Sequence, residues 1–337
     1  MQKVTFLPHP LDVFVHNIDR DEMRNGFLVT SHRKKLWNVQ IGLINEFARV
    51  CKKHNLRWFA YSGTLLGAAR HRGFIPWDDD VDIMMLRPDY NKFLAVAAEE
   101  IKYPYYLDTW SQYIFESDDE KDPPKNAVFI KREQENLPFV GAYPKTDFFK
   151  IRDSRTTQIE FFDRATMNQG IWIDIFPLDS VPPFDNPQQM SVFETAREML
   201  LAITHTDMIK NAVQNNQRML IQRETMENFL KLPLRHRVAH YNNFTGKHFF
   251  NSPKVGRILS YRFPNEKRLA FDTKDFDETV YLPFEEIELP APAGWENCLT
   301  TQYGDWRKMI FTHSHSKDWS VDIPYYEYYR TSAFMQR

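Results

Sequence analysis

Cysteine is scarce in this chain of 337 residues, because only Cys51 and Cys298 occur and they lie far apart. This spacing excludes a readable disulfide framework and a cysteine zinc site. No apolar run approaches the ~20 residues of a membrane span. Proline and charged residues also interrupt the N-terminal stretch that a signal peptide would need. We therefore expect a cytoplasmic protein, and peripheral contact with the inner face of a membrane is left open.

The chain also lacks an excess of charge of one sign. Lysine and arginine total 43 against 45 aspartate and glutamate residues, which gives a formal net charge of −2. This balance supplies no overall positive field, so we expect no nucleic-acid partner. Hydrophobic residues make up 42% and charged residues 26%, as is typical of a folded globular protein.

The usual glycine-rich phosphate-binding motifs, GxGxxG and GxxxxGK(S/T), are absent. Another kind of phosphate-binding site is possible near the short apolar run 58–61, which predicts a strand. The strand ends in a tight turn at Ser62-Gly63-Thr64, and a short helix is predicted over 65–70. Backbone N–H groups and hydroxyls at such a turn can meet phosphate oxygens at the start of the following helix.

Helix and strand patterns follow one another in an uneven order. Apolar periodicity predicts helices over 33–56, 88–101 and 294–303, and it indicates a helical insertion between residues 187 and 243. Strands are predicted at 80–85, 128–131, 148–153, 170–177 and 280–289. This order favours an α+β fold with a mixed sheet rather than a regular doubly wound sheet.

Four aspartates follow Trp77, at positions 78, 79, 80 and 82. Side chains alternate along a strand, so Asp80 and Asp82 would project from the same face. Their repulsion in a partly desolvated site calls for a proton or a cation, and a hard divalent ion with oxygen ligands is the natural partner. The same spacing leaves the pair Asp78 and Asp80 open, and a solvated acidic turn is the alternative without a metal.

Another carboxylate, Asp174, interrupts the apolar run 170–177. A carboxylate is rarely buried without a partner. If its strand lies beside the acidic strand, Asp174 joins Asp80 and Asp82 in a site for Mg²⁺ or Mn²⁺. The alternative is a buried salt bridge between Asp174 and an arginine.

The block YSGTLLGAARHRGFIPWDDDVDIMM, residues 61–85, resembles the signature of the LicD family, which includes bacterial phosphocholine transferases and the animal proteins fukutin and fukutin-related protein. The segments 150–157, 170–179 and 282–306 are similar in type and order to later blocks of that family. The order of turn, helix and acidic strand is also that of the polymerase-beta type of nucleotidyltransferase fold.

The resemblance implies a nucleotidyltransferase-like fold and the transfer of a phospho-alcohol from a CDP-linked donor to a glycan or glycolipid hydroxyl. It places Asp80, Asp82 and Asp174 on the metal site. We accordingly divide the chain into an N-terminal extension (1–30), a catalytic core (31–182), a helical insertion with an acceptor site (183–262), a C-terminal part of the core (263–312) and a tail (313–337).

Basic residues cluster near the predicted phosphate site, and these are Arg70, His71, Lys150, Arg152 and Arg155. Together with Ser62, Gly63 and Thr64 they are predicted to bind the donor, because positioned cations neutralise a diphosphate. A surface ion pair is the alternative role for each of them.

Two aspartates are candidate general bases. Asp153 either activates the acceptor hydroxyl or orients Arg155, and Asp78 is the other candidate. A nucleotidyltransferase that uses a nucleoside triphosphate and releases pyrophosphate would show similar acids and the same turn. A third possibility is a protein without catalytic activity that binds glycans and holds a structural ion in the aspartate cluster.

Overall fold

The computed structural model describes residues 13–109, 147–159, 168–182, 186–217, 219, 221–248, 252–259, 270–310 and 319–324. The strand predicted at 128–131 lies outside the described residues. The helices are α1 (Ser31–Lys53), α2 (Ser62–His71), α3 (Arg87–Glu100), α4 (Pro187–Thr204), α5 (Thr206–Gln214), α6 (Arg223–Lys231), α7 (Leu234–Lys247) and α8 (Trp295–Tyr303).

The strands are, in chain order, β1 (Glu22–Arg24), β2 (Phe27–Val29), β3 (Phe59–Ala60), β4 (Asp82–Leu86), β5 (Tyr105–Asp108), β6 (Phe149–Asp153), β7 (Thr157–Gln158), β8 (Ile171–Val181), β9 (Lys254–Gly256), β10 (Ala270–Asp272), β11 (Thr279–Phe284), β12 (Ile287–Pro292) and β13 (Trp319–Ser320). A 3₁₀ turn over Thr273–Phe276 follows β10. The mixed α/β composition agrees with the predicted class.

The longest strand, β8, organises the central sheet. It pairs in parallel with β4, and antiparallel with β6 along its first part and with β9 along its last part. β3, β5 and β10 extend the sheet from β4, β6 and β9. The side chains of β8 are buried except that of Asp174, which is partly buried. A strand covered on both faces reads as a nearly continuous apolar run, which explains the sequence of β8.

Helix α1 packs against β6 and β8. The Thr30 hydroxyl caps the helix by accepting a hydrogen bond from the backbone N–H of Arg33 at 3.2 Å. The predicted apolar stripe is buried, including Leu36, Leu43 and Phe47 at 0% exposure. The helix begins two residues before its predicted start because the cap, and not the first apolar residue, sets the boundary.

The region predicted to be helical contains α4 to α7. Val181, Phe193, Leu200 and Tyr241 belong to an apolar cluster that is separate from the main core. Asn186 caps α4 by accepting a hydrogen bond from the backbone N–H of Gln189. These helices therefore have their own packing, although the boundaries of the domains stay a prediction.

Two hairpins differ from the prediction. β1 and β2 form a hairpin inside the N-terminal extension, and its turn residues Asn25 and Gly26 both have positive φ, at 50° and 80°. Asn-Gly is the sequence typical of such a two-residue turn. The strand predicted at 280–289 is in fact the hairpin β11–β12, which turns at Glu285. Within the described ranges no helix has the length and apolarity to cross a membrane.

Candidate active site

Asp82 and Asp174 lie directly beside each other in the parallel pair β4–β8. Paired residues on neighbouring strands point to the same face of a sheet. The backbone also ties the segments together, since the Asp174 N–H donates to the Val81 carbonyl at 2.9 Å. The sequence-based expectation that the strand of Asp174 adjoins the acidic segment is therefore met in the fold, while the metal-binding role stays a prediction.

Lys150 on β6 lies opposite Asp174. Asp82, Asp174 and Lys150 therefore form a row across the three neighbouring strands β4, β8 and β6. Its Nζ lies 3.3 Å from Asp174 Oδ1, and the two side chains are 7% and 13% exposed. The ammonium also lies 4.4 Å from the centre of the Trp172 ring. The partner of Asp174 is thus a lysine on the same sheet rather than the arginine that the sequence offered as the alternative.

The carboxylates of Asp78, Asp79 and Asp80 form a compact group, with one oxygen of each within 4.8 Å of the others. Asp82 and Asp174 are not part of that group, and the metal-binding role of Asp80, Asp82 and Asp174 stays a prediction. Strand β4 begins at Asp82, and Asp80 lies in the loop before it, not on the strand as predicted.

Burial raises the pKa of Asp78 well above its usual range, and the neighbouring carboxylates of Asp80, Asp82 and Asp79 raise it further. Like charges held together disfavour ionisation unless a cation offsets them. Asp78 is therefore protonated more readily than an ordinary aspartate in the absence of a cation.

The first turn of α2 faces this acidic loop. Ser62-Gly63-Thr64 is helical and is not a separate turn as predicted, because α2 begins at Ser62. A Cβ at Gly63 would lie 2.7 Å from Asp78 Oδ2, so glycine is required for the close approach of the carboxylate. Thr64 is buried, and its hydroxyl accepts a hydrogen bond from the Asp82 N–H at 2.9 Å. Thr64 thus supports the start of β4, and its role in phosphate binding stays a prediction.

Ser62 connects α2 to the distant helix α8. Its φ of 47° is a left-handed conformation that is uncommon for a residue other than glycine. Its hydroxyl lies 3.0 Å from the Tyr303 hydroxyl and accepts a hydrogen bond from Gln302 at 2.9 Å. Burial raises the pKa of Tyr303 to about 12. Such strain is common at functional sites, where the surrounding structure holds it in place.

A cavity of about 330 Å³ opens between α2, the acidic loop and the segment that follows α8. Its volume suits a small ligand. Both acidic and basic side chains line it, together with aromatic rings. The lining residues are Ser62, Gly63, Leu66, Arg70, Ile75, Trp77, Asp78, Asp80, Asp82, Tyr303, Asp305, Trp306, Lys308 and Ile310.

Arg70 lines the cavity and also forms hydrogen bonds to its wall, while its predicted role in binding the donor stays a prediction. Its Nη1 donates to the carbonyls of Trp306 and Lys308, each at 3.0 Å. Its Nε donates to His71 Nε2 at 3.0 Å, and His71 Nδ1 lies 3.2 Å from Asn25 Oδ1. Because Nε2 accepts, Nδ1 carries the proton of a neutral imidazole.

Burial and the positive charges of Arg70 and Arg24 lower the pKa of His71 to about 4. His71 is not among the residues that line the cavity. In this structure His71 contacts Arg70 through Nε2, and its role in binding the donor stays a prediction.

Arg152 is the prediction that the structure supports least. Its side chain is fully buried, forms an ion pair with Asp108 and donates to the Gly170 carbonyl. Arg155 binds Asp153 through two side-chain hydrogen bonds of 2.9 and 2.7 Å. Of the two roles proposed for Asp153, orienting Arg155 is the one the structure shows. Arg152, Asp153 and Arg155 do not line the cavity. Their charges are paired elsewhere, Arg152 with Asp108 and Arg155 with Asp153.

The lining residues that the sequence analysis missed include four polar or aromatic ones, namely Tyr303, Asp305, Trp306 and Lys308. Three of them lie in the segment 282–306 that carried part of the family resemblance, but no spacing rule linked them to α2. Their contact with the site depends on the position of α8, which only the tertiary structure provides.

The family model for the LicD/FKTN/FKRP nucleotidyltransferase domain matches residues 55–187. This segment belongs to the LicD family. It contains α2, the acidic loop, β4, Lys150 and Asp174, so the conserved domain model covers both sides of the Asp82–Asp174 pair. The family resemblance found in the sequence is thereby confirmed.

Relatives of this chain include the lipopolysaccharide cholinephosphotransferase LicD of Haemophilus influenzae, which is 22% identical over 283 residues, covering 80% of this chain and 89% of the relative. An uncharacterized protein of Rickettsia typhi is 45% identical over 57 residues, or 17% of this chain and 18% of the relative. One of Rickettsia prowazekii is 45% identical over 47 residues, or 14% and 18%.

Proposed function

We propose that this LicD-family protein transfers a phospho-alcohol, phosphocholine or a phospho-alditol, from a CDP-linked donor to a hydroxyl of a cell-surface glycan or glycolipid, with release of CMP. The Haemophilus relative, a lipopolysaccharide cholinephosphotransferase, supports phosphocholine as the transferred group. The observation that carries the proposal is the cavity, in which Asp78, Asp80 and Asp82 share the lining with Arg70 and Lys308. The cavity therefore combines carboxylates that can bind a cation with positively charged side chains that can bind phosphate oxygens.

We further propose a nucleotidyltransferase-like core of the polymerase-beta type. The support is the order of a strand (β3), a helix whose first turn faces the acids (α2), and an acidic loop that enters β4, with Asp174 on the neighbouring β8. In this arrangement the first turn of α2 and the carboxylates of Asp78, Asp80 and Asp82 line one cavity, while Asp174 lies beside Asp82 and is not among the lining residues.

The residues present fit a divalent cation. Carboxylate oxygens are the ligands that Mg²⁺ and Mn²⁺ prefer. Asp78, Asp79 and Asp80 each bring a carboxylate oxygen within 4.8 Å of the others, and a cation would offset the negative charge of this group. We propose that Asp80 and Asp82 hold the ion, with Asp174 beside Asp82 as the third carboxylate. Such an ion would stabilise the negative charge that develops on the diphosphate oxygens.

The chain's own residues would do the following in the transfer. The first-turn N–H groups of α2, the Arg70 guanidinium and Lys308 bind the donor diphosphate. The acceptor oxygen attacks the distal phosphorus, and the bond from that phosphorus to the oxygen of CMP breaks. The proton of the acceptor hydroxyl passes to the carboxylate of Asp78, which lines the cavity beside Asp80 and Asp82.

The test is to incubate the purified protein and Mg²⁺ with CDP-choline and CDP-alditols, with and without lipopolysaccharide, and to measure CMP. We expect release of CMP that depends on both an acceptor and a CDP-alcohol, and that EDTA abolishes. A protein that releases pyrophosphate from CTP or ATP instead is a nucleotidyltransferase. A protein that binds the glycan but releases neither product overturns the enzymatic proposal.

A further inference from the structure

Two consecutive backbone carbonyls of the acidic loop each accept two side-chain hydrogen bonds. The Asp78 carbonyl accepts from Arg33 Nη1 at 2.8 Å and from Trp37 Nε1 at 3.0 Å. The Asp79 carbonyl accepts from Gln40 Nε2 at 2.8 Å and from Gln158 Nε2 at 3.4 Å. Since a carbonyl oxygen has two lone pairs, both acceptors are saturated. We call these four donor residues the carbonyl frame.

Most of the carbonyl frame is one face of α1. Arg33, Trp37 and Gln40 are spaced by four and three residues, which places them on the same side of a helix. Gln40 and Trp37 are 0% exposed, and Arg33 is 8% exposed. The donors are thus fixed by a helix of 23 residues that packs against β6 and β8.

The C-terminal strand β13 covers the outer end of the frame. Trp319 is paired with Gln158, its ring is stacked on His32 at 5.2 Å, and the Arg33 guanidinium lies 5.6 Å from its centre. The donors of the carbonyl frame therefore lie on α1 and β7, and β13, a strand far along the chain, packs against them. Neither α1 nor β13 lies in the segment 55–187 that matches the family model.

Fixing the carbonyls also fixes the direction of the acids. When a peptide C=O is held toward α1, rotation of the adjoining residues is restricted, and the carboxylates of Asp78 and Asp80 remain at the cavity. Hydrogen-bond partners one step behind the metal ligands often control how well the ligands bind. A loop without such restraint would lose entropy each time it bound an ion.

We propose that Gln40 is a positioning residue, which sets the affinity of the acidic loop for its divalent cation by holding the Asp79 carbonyl. This inference rests on the proposed function, in which that loop holds Mg²⁺ or Mn²⁺. Gln40 itself does not touch the ion, the donor or the acceptor.

The test uses Gln40→Met, which removes the donor and keeps an unbranched side chain of similar size. The matched control is Asn38→Leu on the same helix, since Asn38 is also buried and its Oδ1 accepts from the Phe14 N–H at 2.7 Å, away from the loop. For both variants, Mn²⁺ binding is measured by electron paramagnetic resonance, kcat and the KM for CDP-choline by CMP release, and the thermal midpoint by circular dichroism.

We expect Gln40→Met to weaken Mn²⁺ binding and to lower kcat by about 10- to 100-fold, with little change in the KM for the donor. Asn38→Leu should lower the thermal midpoint and keep the Mn²⁺ affinity of the wild type. Equal Mn²⁺ affinities for Gln40→Met and the wild type, or equal weakening in both variants, would overturn the inference.

Trp37→Phe is a second test should Gln40→Met not fold, because it keeps an aromatic ring beside Phe74 and removes the N–H donor to the Asp78 carbonyl together with part of the indole. It should weaken Mn²⁺ binding in the same direction, and an unchanged affinity counts against the carbonyl frame. A wild type that binds Mn²⁺ but releases no CMP would overturn the proposed function alone, and the frame would still be judged by Mn²⁺ binding. A wild type that binds no Mn²⁺ would overturn both.

Discussion

Lys150 and Asp174 face each other across the antiparallel pair β6–β8, with Nζ 3.3 Å from Oδ1. Asp82 is the next residue in the same row, on the other side of Asp174. The ammonium of Lys150 therefore offsets the charge of Asp174. This pair accounts for a partly buried carboxylate in an otherwise apolar strand.

Replacing Lys150 with methionine should destabilise the metal-free protein by about 3 to 5 kcal/mol, because removal of one member of a buried ion pair leaves the other charge uncompensated. Added Mg²⁺ should restore more of the free energy of unfolding in Lys150→Met than in the wild type, since the ion replaces the missing positive charge. Urea unfolding with and without Mg²⁺ measures both effects. An equal response to Mg²⁺ in the two proteins would show that the ion does not compensate Asp174.

Asp82→Asn and Asp174→Asn should each lower kcat by at least ~100-fold, the scale of losing one electrostatic stabiliser of the transition state. Steady-state CMP release measures the loss, and circular dichroism checks that the fold is retained. Asp207→Asn, an exposed substitution on α5, is the matched control and should leave kcat unchanged. Full activity in Asp82→Asn would contradict the metal site.

Gly63→Ala should abolish most of the transfer activity, because the added Cβ would lie 2.7 Å from Asp78 Oδ2 and would displace that carboxylate. Gly42→Ala is the control, since nothing lies within 4 Å of a Cβ built at that position in α1. That variant should gain roughly 0.5 to 1 kcal/mol of stability, as expected for alanine in place of glycine in a helix. Activity assays and urea unfolding separate the two outcomes, and an active Gly63→Ala would show that Asp78 is not held against α2.

His71 should make the stability of the protein depend on pH in the acidic range. Its pKa is lowered to about 4 in the folded protein, so the unfolded chain binds a proton more readily between the unfolded value of about 6.5 and that lower value. The contribution of neutral His71 is thus complete above the unfolded pKa and is lost as the pH falls toward 4.

The variant His71→Gln isolates this effect. The difference in the free energy of unfolding between the wild type and His71→Gln should be largest near neutral pH and should shrink as the pH is lowered. Urea unfolding at several pH values gives the two curves. Parallel curves across this range would show that burial does not hold His71 in its neutral form.

Local patterns in the sequence were sufficient for several parts of the site. The apolar stripe of α1 follows from helical periodicity, and the β8 strand follows from its continuous apolar run. The expectation that Asp174 needs a partner followed from the cost of burying a charge. The resemblance of residues 61–85 to the LicD signature predicted that the acidic segment lies at the functional site.

Other relationships depend on residues that are distant in sequence, and no local period encodes them. Lys150 rather than an arginine pairs with Asp174 because β6 inserts beside β8 in one particular register. Ser62 meets Tyr303 because α8 packs against α2.

The sequence by itself determined the acids, the strand that carries Asp174 and the family, because periodicity and the cost of burying charge act over a few residues. Three contacts were visible only in the tertiary structure. The Thr64 hydroxyl accepts a hydrogen bond from the Asp82 N–H, Arg152 forms an ion pair with Asp108, and Gln40 donates to the Asp79 carbonyl. Each of these contacts forms when separate segments pack together, and packing fixes which donor reaches which acceptor.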